Sequence, residues 1–193
     1  MPAPAFATLT VDELQGRREQ LTIIDVRSPG EFASGHVPGA HNIPLDQLGR
    51  ALPTLRAVAE RSELAFICAS GNRSTSACQQ VADAGIHAAT LTGGTTAWAQ
   101  AGRPLERASD VRPVWAMDRQ VRLAAGSLVL AGLAAGLVRP GARWLSAAGA
   151  GGLVYSAVSN TCAMAAVLGK LPCNRRSAAG YDLQAAAARS LAS

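Results

Sequence analysis

Two uncharged apolar runs in the second half of this chain constrain its fold more than any other feature. The first covers residues 123–138 and the second covers residues 144–169. A helix needs about 20 apolar residues to span a bilayer, so the second run is long enough. The first run would extend only about 24 Å, and arginines at its ends would have to reach toward the headgroups. Neither run has a polar face. We therefore predict a two-helix transmembrane hairpin that reverses at "RPGAR" (139–143), with a buried helical hairpin of a soluble protein as the alternative.

Charge is divided unevenly between the two halves of the chain. Residues 1–110 carry nine Arg and eleven Asp or Glu, a net charge of −2, whereas residues 111–193 carry nine Lys or Arg and two Asp, a net charge of +7. The basic residues flank the apolar runs and form no patch with aromatic residues. We therefore expect a membrane as a partner and no nucleic acid. The four cysteines form no CxxC pair and have no histidine at zinc spacing, so we expect no metal and no cofactor.

The first half alternates between strand and helix patterns. Buried strands are predicted at 21–26, 64–67 and 88–91 because these runs are continuously apolar. Helices are predicted after the capping-box pair Thr10 and Glu13, at 45–60, at 74–84 and in "GGTTAWAQAG". The Gly- and Pro-rich segment 27–44 is predicted to be turn and loop. Strands separated by helices indicate an α/β fold, a mostly parallel sheet flanked by helices.

A cysteine, Cys68, follows the predicted strand 64–67 directly, in "CASGNRS". Open α/β sheets bind ligands at the carboxyl ends of their strands. With a helix beginning at about Ser74, the N–H groups of the turn and of the helix N-terminus converge on the sulfur, which favours a thiolate. Gly71 permits a positive φ, and Arg73 adds a fixed charge suited to an oxyanion. Three further side chains can donate hydrogen bonds to the sulfur or to a bound anion: Ser70, Asn72 and Ser74.

Four motifs in order resemble a single rhodanese domain over residues 1–105. They are "DVR" (25–27), "EFASGHVPGAHNIP" (31–44), "CASGNRS" (68–74) and "LTGGTTAW" (91–98). The resemblance implies that Cys68 is the catalytic nucleophile, which takes a sulfane sulfur from thiosulfate or a persulfide and passes it to cyanide or a thiol. It also implies that the loop binds the substrate through Ala69, Ser70, Gly71, Asn72, Arg73 and Ser74.

The spacing of the loop favours sulfur transfer over phosphate chemistry. Related phosphatases use C-x5-R, which makes room for a tetrahedral phosphate, whereas Cys68 and Arg73 stand in C-x4-R. Sulfite leaves thiosulfate as a stable anion, so no general acid is required. Outside the loop we interpret five residues as structural: Asp25, Arg27, His36, Cys78 and Trp98.

The segment "NTCAMAAVLGKLPC" (160–173) resembles the small two-helix membrane domain that is fused to bacterial rhodaneses. Its cysteines, Cys162 and Cys173, could pass sulfur or pair with each other, and we interpret them as structural thiols. In the first apolar run, Gly132 and Gly136 form a GxxxG motif, a spacing that lets two helices approach closely and would allow a homodimer through the helices.

These features predict four segments: a rhodanese domain (1–106), a juxtamembrane linker (107–120), a transmembrane hairpin (121–171) and a basic C-terminal tail (172–193). Without a secretory signal, we expect the rhodanese domain to face the cytoplasm from the bacterial inner membrane. Positive residues favour the cytoplasmic side, and six basic residues at the outer ends of the hairpin outnumber the two at its joint. The six are Arg112, Arg119, Arg122, Lys170, Arg175 and Arg176.

The function predicted from the sequence is therefore that of a membrane-anchored thiosulfate sulfurtransferase. Two alternatives come from other classes. In one, the helices form a transport or export module for a small sulfur anion, but neither run contains a charged residue to line a path. In the other, the domain senses anions or redox state without turnover, but the loop retains its cysteine, Cys68.

Overall fold

The computed structural model describes residues 6–107 and 114–159, together with residues 164, 167, 168, 171 and 174. The described chain falls into two compact units that divide between Pro113 and Val114. The strands of the first unit are β1 (Ala7–Leu9), β2 (Leu21–Asp25), β3 (His41–Asn42), β4 (Glu63–Ile67) and β5 (Ala88–Leu91). Its helices are α1 (Val11–Arg17), α2 (Pro29–Ser34), α3 (Leu48–Ala59), α4 (Asn72–Asp83) and α5 (Gly94–Gln100). The second unit contains α6 (Met117–Val138) and α7 (Arg143–Ser159).

The first unit is built on a five-stranded sheet in the order β1-β5-β4-β2-β3, and all its strand pairs are parallel. The central strand β4 is buried on both faces: Leu64 and Phe66 pack into one apolar cluster, and Ala65 and Ile67 pack into the other. Helices cover both faces because a parallel strand has to be followed by a crossover before the next one. The predicted α/β fold is confirmed.

The prediction of loop throughout residues 27–44 is wrong, because α2 and β3 lie inside this segment. Ser28 caps α2 by accepting from the Glu31 N–H, and the Glu31 carboxylate accepts from the Ser28 N–H in return. Pro29 occupies the first turn, where the missing N–H costs nothing. Ser28 and Glu31 therefore form a capping box of the same type as the one that Thr10 and Glu13 form at the start of α1.

Smaller differences concern the ends of elements. β1 was not predicted, because its three residues form too short an edge strand to give a pattern. The helix predicted from residue 45 begins as a 3₁₀ turn over Leu45–Gln47 and becomes α-helical at Leu48. α6 begins at Met117, within the segment predicted as the juxtamembrane linker (107–120).

In the second unit, α6 is 22 residues long, or about 33 Å at the rise of an α-helix. Arg119 and Arg122 lie within its first two turns, so the helix is longer than the uncharged run alone. Among the described residues, α6 is the one helix that is long and apolar enough to cross a membrane. Its leucines are largely exposed, with Leu130 68 % and Leu137 83 % accessible. The second predicted span, 144–169, lies partly outside the described residues, and its residues 144–159 belong to α7.

The helices α6 and α7 pack side by side as an antiparallel pair. A 3₁₀ turn at Pro140–Ala142 joins them. The further a residue of α6 lies before this turn, the further its partner in α7 lies after it: Gly136 faces Arg143, Gly132 faces Ser146, and Leu128 faces Gly149. The Ser146 hydroxyl donates to the Val129 carbonyl over 2.9 Å. A Cβ added at Gly132 would lie 2.8 Å from the Ser146 N. The GxxxG motif therefore serves contact between α6 and α7 of one chain, which removes it as an argument for a homodimer.

The start of α6 is also tied to the chain that follows α7. Gln120 and Asn174 form a reciprocal amide pair, with N–O distances of 3.0 and 2.9 Å, and Asn174 is fully buried. The Asn174 amide also donates to the Leu168 carbonyl over 2.8 Å. This pair holds the two outer ends of the helical unit together. Cys162 and Cys173 lie outside the described residues.

Candidate active site

Cys68 lies directly after the central strand β4, at the carboxyl edge of the sheet, and only 1 % of it is exposed. Its Sγ accepts a hydrogen bond from the Gly71 N–H over 3.1 Å. Gly71 has φ +103°, a left-handed conformation that turns this N–H back toward the sulfur. Gly71 therefore has the positive φ that the sequence predicted, and its N–H contacts the Cys68 sulfur.

The helix that follows the loop begins at Asn72, two residues before the predicted start at Ser74. The N–H groups of its first three residues have no acceptor within the helix, because the first intrahelical bond runs from the Thr75 N–H to the Gly71 carbonyl. The Gly71 N–H, at the N-cap of this helix, reaches the Cys68 sulfur, so the positive end of the helix dipole favours negative charge there. The arrangement suits an anion, either a thiolate or a bound sulfur oxyanion.

Of the three hydrogen-bonding side chains predicted for the loop, the structure brings one to the sulfur. The Ser74 Oγ lies 3.6 Å from the Cys68 Sγ and is fully buried. Ser70 and Asn72 are exposed and make no side-chain hydrogen bond to Cys68 in the described part of the chain. Ala69 is buried within the loop. The hydrogen bonds to the sulfur in the described part of the chain therefore come from one backbone N–H, that of Gly71, and one hydroxyl, that of Ser74.

Arg73 is held by a partner that the sequence did not indicate. Its two terminal nitrogens donate to the two carboxylate oxygens of Glu31, each over 2.8 Å. The Glu31 carboxylate is buried and belongs to the capping box of α2, whereas the Arg73 side chain is 26 % exposed. The guanidinium thus stands at the edge of the site in a fixed orientation, and a neighbouring carboxylate offsets part of its charge. The signal that could have revealed this partner is the S-x-x-E pattern at Ser28.

A second buried ion pair, Asp25 with Arg27, lies at the end of the neighbouring strand β2. The Arg27 Nη2 donates to Asp25 over 2.6 Å and to the Gly35 carbonyl over 2.7 Å. Burial by itself lowers the pKa of Arg27, but the charge of Asp25 and its hydrogen bonds outweigh burial, so the pKa is raised. Both side chains are buried, which supports the structural interpretation of this pair.

The first turn of α5 holds the backbone of the cysteine loop from the other side. The Thr95 N–H donates to the Cys68 carbonyl over 2.8 Å, and the Thr96 N–H donates to the Ala69 carbonyl over 3.1 Å. Gly94, with φ +59°, lies so close that a Cβ there would overlap the Cys68 carbonyl oxygen. The segment "LTGGTTAW" therefore positions the cysteine loop. In the sequence, only its two adjacent glycines indicated that another part of the backbone comes close.

The remaining residues interpreted as structural are buried, and each has a partner other than the sulfur. Burial raises the pKa of the Cys78 thiol to about 12, and its S–H donates to the Ala89 carbonyl over 3.4 Å. The ring of His36 stacks on Phe32 at 3.7 Å. Trp98 is fully buried and donates from Nε1 to the Pro104 carbonyl over 2.8 Å.

Comparison with known families divides the chain at the same place as its structure. Residues 10–101 match the family model described as a rhodanese-like domain. Residues 115–176 match the model described as the transmembrane domain of YgaP-like inner membrane proteins. The two matches follow one another in the order that the sequence motifs predicted.

Relatives extend this result. The chain is 40 % identical over 172 residues to the uncharacterized protein slr1261 of Synechocystis sp., covering 87 % of this chain and 93 % of that protein. It is 30 % identical over 88 residues to a sulfurtransferase of Allochromatium vinosum, covering 45 % of this chain and 79 % of that protein. Among solved structures, the BH2092 protein of Bacillus halodurans aligns with a TM-score of 0.50 at 19 % identity, covering 59 % of this chain and 88 % of that one, a similarity of fold alone.

Proposed function

Because this chain belongs to the rhodanese-like family and continues into a YgaP-like inner membrane domain, we propose that it is a membrane-anchored sulfurtransferase. In this proposal, Cys68 takes a sulfane sulfur from thiosulfate or a persulfide and passes it to cyanide or to a thiol. The name of the Allochromatium vinosum relative, a sulfurtransferase, supports the reaction class.

The observation that carries the proposal is the environment of the Cys68 sulfur. The Gly71 N–H, at the N-cap of α4, lies 3.1 Å from the Cys68 sulfur at the end of β4. Such donors stabilise negative charge both on a thiolate and on the persulfide that replaces it. The described site contains no side chain placed to protonate an alkoxide leaving group, and sulfur transfer from thiosulfate requires none.

The proposed reaction has two steps. The Cys68 thiolate attacks the outer sulfur of thiosulfate; an S–S bond forms to the enzyme, and the S–S bond of thiosulfate breaks. The electron pair of the broken bond leaves with sulfite, and the enzyme holds a persulfide anion within the same N–H groups. Cyanide or a thiolate then attacks the outer sulfur of the persulfide, and the Cys68 thiolate is regenerated. No proton has to be transferred in either step when the acceptor is an anion.

Sulfur transfer is tested by a matched pair of cysteine variants. Cys68→Ser should abolish thiosulfate-to-cyanide transfer, because an alcohol cannot hold the sulfane sulfur. Cys78→Ser should retain it, because this buried thiol donates to the Ala89 carbonyl and a hydroxyl can do the same. Mass spectrometry after treatment with thiosulfate should find one added sulfur atom on Cys68. Retained turnover in Cys68→Ser would move the chemistry to another cysteine.

We further propose that α6 and α7 form a transmembrane hairpin and that the rhodanese-like domain faces the cytoplasm. Aromatic and basic residues mark the ends of α6, as expected at membrane–water interfaces. Near one end Arg119 lies over the ring of Trp115 at 3.9 Å, and beyond the other end Trp144 is 78 % exposed. The pairing of Gln120 with Asn174 keeps the outer ends of the unit together, which supports their lying on one side of the bilayer.

The orientation is tested by cysteine labelling from outside the cell. In a background without the native cysteines, a cysteine introduced at Gly141 in the joint should react with a membrane-impermeant reagent, and one introduced at Ser193 should not. Reaction at Ser193 would contradict two crossings. A protein that is soluble without detergent and unlabelled at both positions would support the buried-hairpin alternative.

The transport alternative predicts a different measurement. A sulfur-anion exporter would move thiocyanate across vesicles that contain the purified protein, whereas an anchored enzyme would form thiocyanate without moving it. The uncharged run 123–138 of α6 offers no fixed charge to an anion, which favours the anchored enzyme. A sensor without turnover would give neither flux nor repeated sulfur transfer.

A further inference from the structure

A chain of two buried hydroxyl groups leads from strand β5 to the Cys68 sulfur. The Thr90 Oγ1 donates to the Ser74 Oγ over 2.7 Å, and the Ser74 Oγ lies 3.6 Å from the Cys68 Sγ. Thr90 is 3 % exposed, and Ser74 is fully buried. In the described part of the chain Thr90 makes no hydrogen bond to the sulfur, and no sequence motif of the site includes it.

The direction of these hydrogen bonds follows from the acceptors around Ser74. The Ser74 hydroxyl lies 2.9 Å from the Gly71 carbonyl, which can only accept, so Ser74 has to donate its single hydrogen there or to the sulfur. Its oxygen then accepts from Thr90. In the described part of the chain, the Thr90 side chain makes this one hydrogen bond, so its hydrogen is committed to Ser74.

The Gly71 carbonyl can release the Ser74 hydrogen without being left unsatisfied. It also accepts from the Thr75 N–H over 2.9 Å. A rotation of the Ser74 hydroxyl from this carbonyl to the sulfur therefore leaves no buried acceptor without a donor, which would otherwise be costly. The rotation is favoured when the sulfur carries negative charge, because hydrogen bonds to ionised acceptors are the stronger ones.

We propose that Thr90 is a positioning residue for sulfur transfer: by donating to Ser74 it orients and polarises that hydroxyl toward the anionic sulfur of Cys68. Hydrogen bonds in a chain strengthen one another, so the Thr90 bond makes Ser74 a better donor to the thiolate and to the persulfide. This role rests on the proposed function of Cys68, but the reactivity of the thiolate can be measured without any sulfur donor.

The test compares Thr90→Val, which has nearly the same shape without the hydroxyl, with Thr90→Ser, which keeps the hydroxyl. The full-length protein is treated with iodoacetamide at constant pH, and the alkylation of Cys68 is followed by peptide mass spectrometry. Thr90→Val should slow alkylation by about two- to tenfold, the equivalent of one neutral hydrogen bond, and Thr90→Ser should react close to the wild-type rate. Thr8→Val is the matched control, because Thr8 is exposed on β1 and pairs in register with Thr90.

A second pair of variants separates positioning from structural support. In a Ser74→Ala background, adding Thr90→Val should slow alkylation no further, because Thr90 acts through the Ser74 hydroxyl. The proposal would be overturned if Thr90→Val slowed alkylation equally in the wild-type and Ser74→Ala backgrounds, or if Thr90→Val alone reacted at the wild-type rate. Sulfur transfer is measured on the same samples: its absence in the wild type would refute the proposed function, while the alkylation rates would still decide the role of Thr90.

Discussion

The contact between α5 and the cysteine loop gives a sharp prediction for Gly94→Ala. Gly94 has φ +59°, and a Cβ at this position would lie 2.7 Å from the Ala69 carbonyl carbon and would overlap the Cys68 carbonyl oxygen. The atoms in its way are backbone, which cannot rotate aside as a side chain can. The substitution therefore has to push the first turn of α5 away from the loop and weaken the hydrogen bonds of Thr95 and Thr96 to it.

Two costs add up in this variant. A left-handed conformation costs an L-residue about 1–2 kcal/mol, and forcing an extra methyl group into a packed site costs about 1–3 kcal/mol more. We therefore expect Gly94→Ala to lower the free energy of unfolding by about 2–5 kcal/mol. Gly85→Ala is the matched control, because Gly85 has φ +76° with nothing within 4 Å of an added Cβ. It should lose about 1–2 kcal/mol, the conformational cost alone.

Hydrogen exchange of the β4 amides measures this difference in the sheet domain without interference from the helical unit. A loss of about 1.4 kcal/mol raises exchange through global unfolding tenfold. Sulfur transfer should fall much further in Gly94→Ala than in Gly85→Ala, because a shift of about 1 Å in a reacting group can cost about a hundredfold in rate. Equal exchange rates in the two variants, together with wild-type turnover in Gly94→Ala, would refute the role assigned to α5.

Three further predictions concern Arg73, Cys78 and the helical unit. Arg73→Ala should lower turnover and thiosulfate affinity together. It should also lower the free energy of unfolding by about 1–3 kcal/mol, because the buried Glu31 carboxylate loses both guanidinium donors. Unchanged kinetics would mean that the backbone alone binds the anion. The pKa of Cys78 is raised by burial from 9.0 to about 12, so its thiol should resist alkylation at pH 9 in the folded protein. The contribution of this neutral thiol to the free energy of unfolding is complete below pH 9 and is lost as the pH rises toward 12. In denaturant unfolding, Cys78→Ser should therefore lose less stability between pH 9 and pH 12 than the wild type does. In detergent, Gly132→Leu should destabilise the packing of α6 on α7, whereas Gly152→Leu, in open space, should not; equal thermal stability of the two variants would contradict the packing.

The three central strands of the sheet, β5, β4 and β2, could be predicted closely because burial on both faces leaves largely apolar runs. β5 has its predicted ends, and β2 and β4 differ from their predicted ranges by one residue. The helix α2 was missed for a different reason. Glycine and proline dominate the composition of residues 27–44, but proline favours the first turn of a helix as much as it favours a loop. The pair Ser28 and Glu31 carried the decisive signal.

The site was predictable where its contacts are local. Cys68, Gly71 and Ser74 lie within seven residues, so loop length and helix start alone bring them together. Glu31 and Thr90 lie on other elements, and only the order of strands in the sheet brings them to the loop. Their chemistry is ordinary for their positions, a capping carboxylate and a strand threonine, so nothing in the local sequence distinguishes them.

The GxxxG motif illustrates a similar limit in the helical unit. Small residues at this spacing indicate that another helix comes close, but they do not say which helix. The five-residue joint between the apolar runs makes the neighbour in the same chain the nearest candidate, and the Gly132 surface is occupied by Ser146 of α7. A homodimer through the helices would therefore have to use the exposed face that carries Leu130 and Leu137. That face is apolar, and it suits lipid chains as well as a second protein, so its composition alone does not identify a partner.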